Sequence, residues 1–338
     1  MNKRYIIGVD GGNTKTDYFL FDIEGNFVSK LRAGTCSHEC MPDSYYGAYC
    51  EMKKCIEQLL VEQNLTIENV EVGVFGLAGL DVPIQKESLD EVIRRIGFKK
   101  FIAENDGYLG LKVGSKTGVG ICSINGTGTV TTGIDTQGNR LQVGGVGYIS
   151  GDDAGGAFIT RKLFRQIHNT LYRCGAKTTL VQPVFELLNI TDKRYYIQRI
   201  NELYKNKFSH TPYVQLVFEH ADKGDGVALK IMHEVASELA KSTAGCINNL
   251  NFEKSEKVEV ILAGSVWVKP TTQILIDSYK EYVGELTSAK CEYTVLQVPP
   301  GIGAVLWALE IAHNKPVEDT LKEQIISEME VLYKSGNE

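Results

Sequence analysis

The chain has 338 residues, 43% of them hydrophobic and 23% charged, which is enough apolar material for two cores and the makeup of a soluble globular protein. A formal net charge of −6 argues against a nucleic-acid surface, which wants clustered Lys and Arg. No run approaches the roughly 18 apolar residues of a membrane span, and too few apolar residues precede Asp10 for a secretory h-region, so a cytoplasmic protein is expected.

In chain order, the apolar run Tyr5–Val9 predicts a first strand, followed by a Gly- and Thr-rich turn, Asp10-Gly-Gly-Asn-Thr-Lys-Thr, and a second strand over 18–21. A Gly25-Asn26 turn leads into a third strand. Residues 45–63 read as a helix, with Tyr49, Met52, Ile56, Leu59 and Leu60 on one face. A strand at 70–75, a helix at 84–96 and a strand at 101–103 complete a first unit near residue 114. Lys112 to Gly118 has the composition of a connector into a second hairpin over 119–144. From 155 to about 249 the chain reads as largely helical, with Ala228, Ile231, Met232, Val235, Leu239, Ala240 and Ile247 as one apolar stripe. Strands resume at 258–262 and 293–298, with helices near 271–283, 302–313 and 317–333. Alternating short strands and amphipathic helices predict an α/β fold.

The chain also repeats itself. Thr14, Thr16, Asp22, Gly25 and Asn26 recur 113 residues later as Thr127, Thr129, Asp135, Gly138 and Asn139. Glycine lets the backbone approach an anion closely, and consecutive N–H groups with Thr hydroxyls can then bind phosphate. Two such hairpins facing each other would hold a nucleotide polyphosphate. Taken singly, Gly126-Thr-Gly128 is an ordinary hairpin turn, but a turn signal gives no reason to repeat Thr-x-Thr at the same register. The P-loop pattern GxxxxGK[ST] and an intact GxGxxG are both absent. The eight cysteines form no CxxC pair and no His/Cys cluster with zinc spacing, so free thiols are expected.

Asp10-Gly-Gly-Asn-Thr-Lys-Thr, Glu104-Asn-Asp-Gly107, Asn125-Gly-Thr-Gly-Thr129, Gly144-Gly-Val-Gly-Tyr-Ile-Ser-Gly-Asp152, Ala263-Gly-Ser265 and Gly301-Ile-Gly303 come in an order that resembles the N-acetylglucosamine kinases. Those enzymes group with the BadF/BadG-type ATPases in the actin, Hsp70 and sugar-kinase superfamily. The similarity spans about residues 5 to 310. The resemblance implies two ribonuclease H-like (actin-like ATPase) domains with a cleft between them. Residues 1–114 would form the first domain and 115–338 the second, which carries the helical insertion, with the last helix packing back on the first. It further implies an ATP site in which Asp10, Gly11, Gly12, Asn13, Thr14, Lys15 and Thr16 form one phosphate loop and Asn125, Gly126, Thr127, Gly128 and Thr129 the other. Ala263, Gly264 and Ser265 would line the adenosine pocket, and Asp10 would position hydrated Mg²⁺. Asp106 would act as base toward the sugar hydroxyl. Ser37, His38, Asn125, Gly145, Val146, Gly147 and Asp152 would contact an amino sugar, N-acetylglucosamine ahead of glucosamine. A homodimer is the expected assembly, with neither nucleic-acid nor membrane partners.

Several of these positions have plainer readings. Asp106 could simply cap the helix that starts at Gly107; Asp152 and Asp153 face the same choice before the helix near Ala157, and the resemblance leaves Asp153 undecided. The glycines at 144–147 could close a loop, and His38 could sit on the surface. The chain also departs from the family pattern: Ser37 stands for Asn, Val146 for a Trp common in relatives, and Asp153 for Glu. These changes bear on substrate choice. The zinc-binding cysteine cluster of the ROK sugar kinases is absent. Two other classes stay open: an activator ATPase sharing an iron–sulfur cluster between subunits, whose Asp-Ile-Gly-Gly-Gln-Asp-type motif is missing, and a non-catalytic sugar or nucleotide sensor.

Overall fold

The computed structural model describes residues 3–206, 208–252, 257–268 and 272–335. The first half runs β1 (Tyr5–Gly11), β2 (Lys15–Asp22), β3 (Phe27–Gly34), α1 (Ser44–Val61), β4 (Val70–Leu77), α2 (Pro83–Ile96), β5 (Phe101–Glu104) and α3 (Gly107–Gly114). The second half begins with β6 (Gly120–Asn125), β7 (Thr129–Ile134) and β8 (Arg140–Gly144). It continues through the helices α4 (Gly156–Tyr172), α5 (Val181–Leu188), α6 (Tyr196–Lys205), α7 (Thr211–Asp222) and α8 (Gly226–Asn249). Then follow β9 (Val258–Ala263), α9 (Ser265–Val268), α10 (Ile274–Leu286), β10 (Cys291–Val295), α11 (Ile302–His313) and α12 (Asp319–Ser335).

Each half folds into a five-stranded sheet of the same topology, β3-β2-β1-β4-β5 and β8-β7-β6-β9-β10. In both, a strand pairs antiparallel with the next strand of its hairpin and parallel with the one that returns after a helix. The repeat seen in the sequence is therefore a repeat of structure. Its turn chemistry matches atom for atom: Asn26 N–H donates to Asp22 Oδ1 at 2.8 Å and Asn139 N–H to Asp135 Oδ1 at 2.8 Å. Gly25 (φ 89°) and Gly138 (φ 81°) take the left-handed conformation these turns require.

Three apolar cores hold the halves. One packs α1 and α2 on the first sheet, through Met52, Ile56, Leu59, Leu89, Val92 and Ile93. A second lies under β6 and β9 and extends into α4–α8 and α10, where every residue of the α8 stripe is buried. The third joins the sheets: Phe19, Phe21 and Val74 meet Leu109 of α3, Cys122 and Ile261 of the second sheet, α11, and Ile325 and Met329 of α12.

Three details differ from the sequence reading, the first being that the strand expected over 293–298 is β10, which starts at Cys291 and ends at Val295. The connector composition at Lys112–Gly118 hides the end of α3, which runs to Gly114 because Val113 is buried; the turn starts at Ser115, whose Oγ accepts from Gly118 N–H at 2.9 Å. Tyr49 is only half-buried, and Ala48 and Cys55 complete the inner face of α1 instead. The predicted helix start at Thr271 lies outside the described residues. All eight cysteines are free. Among the described residues no helix is long and apolar enough to cross a membrane.

Candidate functional site

The site gathers at the carboxyl ends of β1, β4, β5 and β6, where parallel strands present loops to ligands. The first turn leaves β1 at Gly11, which faces Thr16 across the hairpin, and closes with Gly12 N–H donating to Lys15 O at 3.0 Å. Asn13, Thr14 and Lys15 are exposed at its tip. The second turn is tighter: Asn125 faces Thr129, and Gly126 N–H donates to Gly128 O at 2.9 Å. Its carbonyls cap α4, for Gly156 N–H donates to Gly126 O at 2.8 Å and Ala157 N–H to Thr127 O at 3.0 Å. Gly155 is required there, since a Cβ would sit 2.7 Å from Gly128 Cα.

A cavity of about 740 Å³ brings Thr14, Gly126, Thr127 and Ser265 together. Its far wall comes from the helical insertion, with Tyr204, Phe208, His210 and Phe218 beside Arg161 of α4. The repeated Thr-x-Thr divides its labour. Thr14 and Thr127 line the cavity, whereas the hydroxyls of Thr16 and Thr129 are committed to the backbone: Thr16 Oγ1 accepts from Cys36 N–H at 3.0 Å, and Thr129 Oγ1 donates to Ile124 O at 2.8 Å. Ala263 is buried at the end of β9. Gly264 (φ +99°) passes so close to Asn125 that a Cβ would lie 2.5 Å from the Asn125 carbonyl.

Carboxylates crowd the first half of the site. Asp10 lies opposite Asp17 in the β1–β2 register, and Arg32 neutralises Asp17 with two bonds, Nε to Oδ1 at 2.7 Å and Nη2 to Oδ2 at 3.0 Å. Burial, then the charges of Asp106 and Asp17, push Asp10 up to about 7, against the pull of Lys15 and Arg32. Asp106 precedes α3 but makes no side-chain cap bond; Asn105 Oδ1 takes that place by accepting Gly107 N–H at 2.8 Å. Burial and the Asp81 charge push Asp106 up to about 6, partly offset by the N–H groups of Asp106 and Gly107. The bland reading of Asp106 as a helix cap therefore falls away, and its carboxylate is left available.

Among the sugar-contact candidates, three carry buried polar atoms with no partner among the described residues: Asn125 at both ends of its amide, Ser37 at Oγ and His38 at Nδ1. An unpaired buried polar group costs about 1–3 kcal/mol, so these groups are poised for a ligand. His38 is a buried ring stacked on Tyr45 at 4.5 Å and 10°, not a surface residue, and burial keeps its pKa low against the opposing charge of Glu39. Gly144, Gly145, Gly147 and Gly151 all have positive φ, giving the loop a backbone few other residues could follow. Asp152 accepts from Gly147 N–H at 2.5 Å and from Ser150 Oγ at 3.3 Å, which ties the loop to itself. Val146 is 51% exposed and stands in solvent.

Sequence reading missed Asp81. Its Oδ1 accepts from Asn105 Nδ2 at 2.9 Å and from Gln142 Nε2 at 2.7 Å, and a Cβ on Gly145 would sit 2.8 Å from the same oxygen. It thus joins the β4–α2 loop to edge strand β8 of the second sheet, beside the glycine loop, and nothing in its local sequence marks it. Glu104 makes a similar cross-sheet link to Arg140 at 2.7 Å. The insertion wall was missed for the same reason.

Among the described residues no group of three or more His, Cys, Asp or Glu could hold a metal ion. A single buried carboxylate facing like charges, as at Asp10, suits Mg²⁺ instead, which keeps its waters and takes one or two carboxylates plus ligand phosphates.

Paired sheets of one topology, with facing turns at the ends of their central hairpins, define the two-domain, actin-like class. Within it, the chain belongs to the BadF/BadG/BcrA/BcrD ATPase family, whose model matches residues 7–308. It is 25% identical over 310 residues to an N-acetylmuramic acid/N-acetylglucosamine kinase of Clostridium acetobutylicum, covering 90% of this chain and 98% of that protein. It is 24% identical over 330 residues to an N-acetyl-D-glucosamine kinase of Dictyostelium discoideum, covering 91% and 99%. A crystal structure from Chromobacterium violaceum, provisionally named an N-acetylglucosamine kinase, superposes with a TM-score of 0.62 at 20% identity, covering 90% of this chain and 99% of that one.

Proposed function

We propose that the chain is an ATP-dependent kinase that phosphorylates a hydroxyl of an amino sugar, N-acetylglucosamine first and glucosamine second. The reading rests on Asp106: a carboxylate released from capping, held near 6 by burial and Asp81, at the junction of the two sheets. A base with that pKa is ionised at neutral pH and still basic enough to take a proton as the hydroxyl oxygen attacks. Full-length similarity to two curated sugar kinases supports the same reaction.

In this mechanism the nucleotide lies in the cavity between Thr14 and Thr127, with its γ-phosphoryl group toward Asp10 and Asp106. Asn125, Ser37 and His38 spend their unpaired polar atoms on the sugar, which orients one hydroxyl toward Asp106. Asp106 accepts that proton while the oxygen–phosphorus bond forms and ADP leaves. Asp10 would hold Mg²⁺, which when bound would supply charge neutralisation for the phosphates. Asp81 and Glu104, by their bonds to Gln142 and Arg140, hold the second sheet against the first and help exclude water, the competing acceptor.

A coupled assay of ADP release over a panel of hexoses and hexosamines tests the proposal. Sugar-stimulated release with N-acetylglucosamine or glucosamine is the expected result. No stimulation by any sugar in the panel would sink it.

A further inference from the structure

The last described turns of α12 return to the first sheet. Lys30 Nζ donates to the Leu332 carbonyl at 2.9 Å and lies 4.8 Å from the centre of the Tyr333 ring, which also packs on Phe19 at 5.5 Å. This anchoring carries the Tyr333 phenol inward. Its hydroxyl is buried and, among the described residues, has no partner of standard hydrogen-bond geometry. What it faces is fixed by Gly301: a Cβ built there would collide with the Tyr333 hydroxyl and lie 2.7 Å from Asp10 Oδ2. The phenol and the carboxylate thus share one small space, and only a glycine at 301 leaves room for both.

The chemistry of the pair is one-sided. A phenol hydroxyl can donate a hydrogen bond, and an ionised carboxylate can only accept one. Arg32, one of the two cations that pull on Asp10, is bound to Asp17. We propose that Tyr333 is a positioning residue for Asp10: its hydroxyl donates to Oδ2, leaving the other carboxylate oxygen turned toward the first turn and the phosphate-bound cation. The inference rests on the kinase reading, because it assigns Asp10 to the metal and phosphate end of the site. Groups that orient a ligating carboxylate from behind typically cost 10- to 100-fold in metal affinity or activity when removed.

Tyr333→Phe tests it, since the variant keeps the ring against Phe19 and Lys30 and removes only the hydroxyl. Calorimetric titration with ADP, with Mg²⁺ and with chelator, measures the gain in affinity that the metal confers. The variant is expected to lose about tenfold of that gain and about tenfold in kcat. Its melting temperature, its chelator-arm affinity and its KM for sugar should match the wild type. Unchanged Mg²⁺ dependence and unchanged kcat would overturn the inference. So would an equal loss in both titration arms with a lower melting temperature, the mark of a structural role. If the wild type binds ADP no tighter with Mg²⁺, the kinase reading falls with it; if the wild type is active and only the variant arms fail, the reading stands alone.

Discussion

The two turns share a scaffold and differ in chemistry. At the first, Gly11 faces Thr16; at the second, Asn125 faces Thr129, so the second turn is one residue shorter. Counted back along the strands, Asp10 and its cross-strand neighbour Asp17 correspond to Ile124 and Val130, which also face each other. At these paired positions charge is thus confined to the first copy, while the second turn offers a neutral amide, small residues and the start of a helix. Duplication supplied symmetric walls, and under the proposed kinase reading the charged wall would serve the reacting end of the ligand and the other would hold it.

The strongest way to break this contrast is Asp106→Asn, which should cut sugar-dependent ADP release by about 10²- to 10⁴-fold. The same variant should be at least as stable as the wild type at neutral pH. A carboxyl raised to about 6 from an ordinary 3.8 ionises more readily in the unfolded chain, so it lowers stability as pH climbs through that interval and its removal lifts the penalty. A melting temperature well below wild type would instead mean that Asp106 is structural. In the wild type, kcat/KM should fall about tenfold per pH unit below about 6, the limb expected when Asp106 must be ionised. An acid limb absent down to pH 5 would detach the base role from Asp106.

On the neutral wall, Asn125→Ala should raise the sugar KM about tenfold, worth about 1.4 kcal/mol, and leave the melting temperature equal or higher because an unsatisfied amide is gone. The smallest effects sharpen the division within Thr-x-Thr. Thr16→Val and Thr129→Val should each cost about 1 kcal/mol in urea unfolding, while Thr14→Val and Thr127→Val should spare stability and raise the KM for ATP severalfold. The opposite assignment would show that the committed hydroxyls, not the cavity-lining ones, face the nucleotide.

Legibility in the sequence followed the range of the interactions. The hairpins, the Asp22 and Asp135 turns and the α8 stripe are local patterns, and they could be read. The register was not: a constant offset sets Asp10 against Ser123, and only the strand pairing exposes the missing residue and the true counterpart, Ile124. Asp81 and Tyr333 were invisible because their meaning lies in partners brought by the fold, Gln142 of a different sheet and a glycine before α11. The choice for Asp106 was undecidable from sequence because Asn105, its neighbour, is an equally good cap and takes the bond.

The contact between β1 and α11 sets a timetable for making the protein. Gly8 lies against α11 so closely that a Cβ would sit 2.9 Å from Val305 N, and the shared core draws on α11 and α12 to cover Phe19, Phe21 and Val74. On the ribosome, where chains fold from the N-terminus as they emerge, the first sheet therefore waits with one face bare while the whole second sheet is translated. That apolar face stays uncovered until α11 and α12 emerge to pack on it.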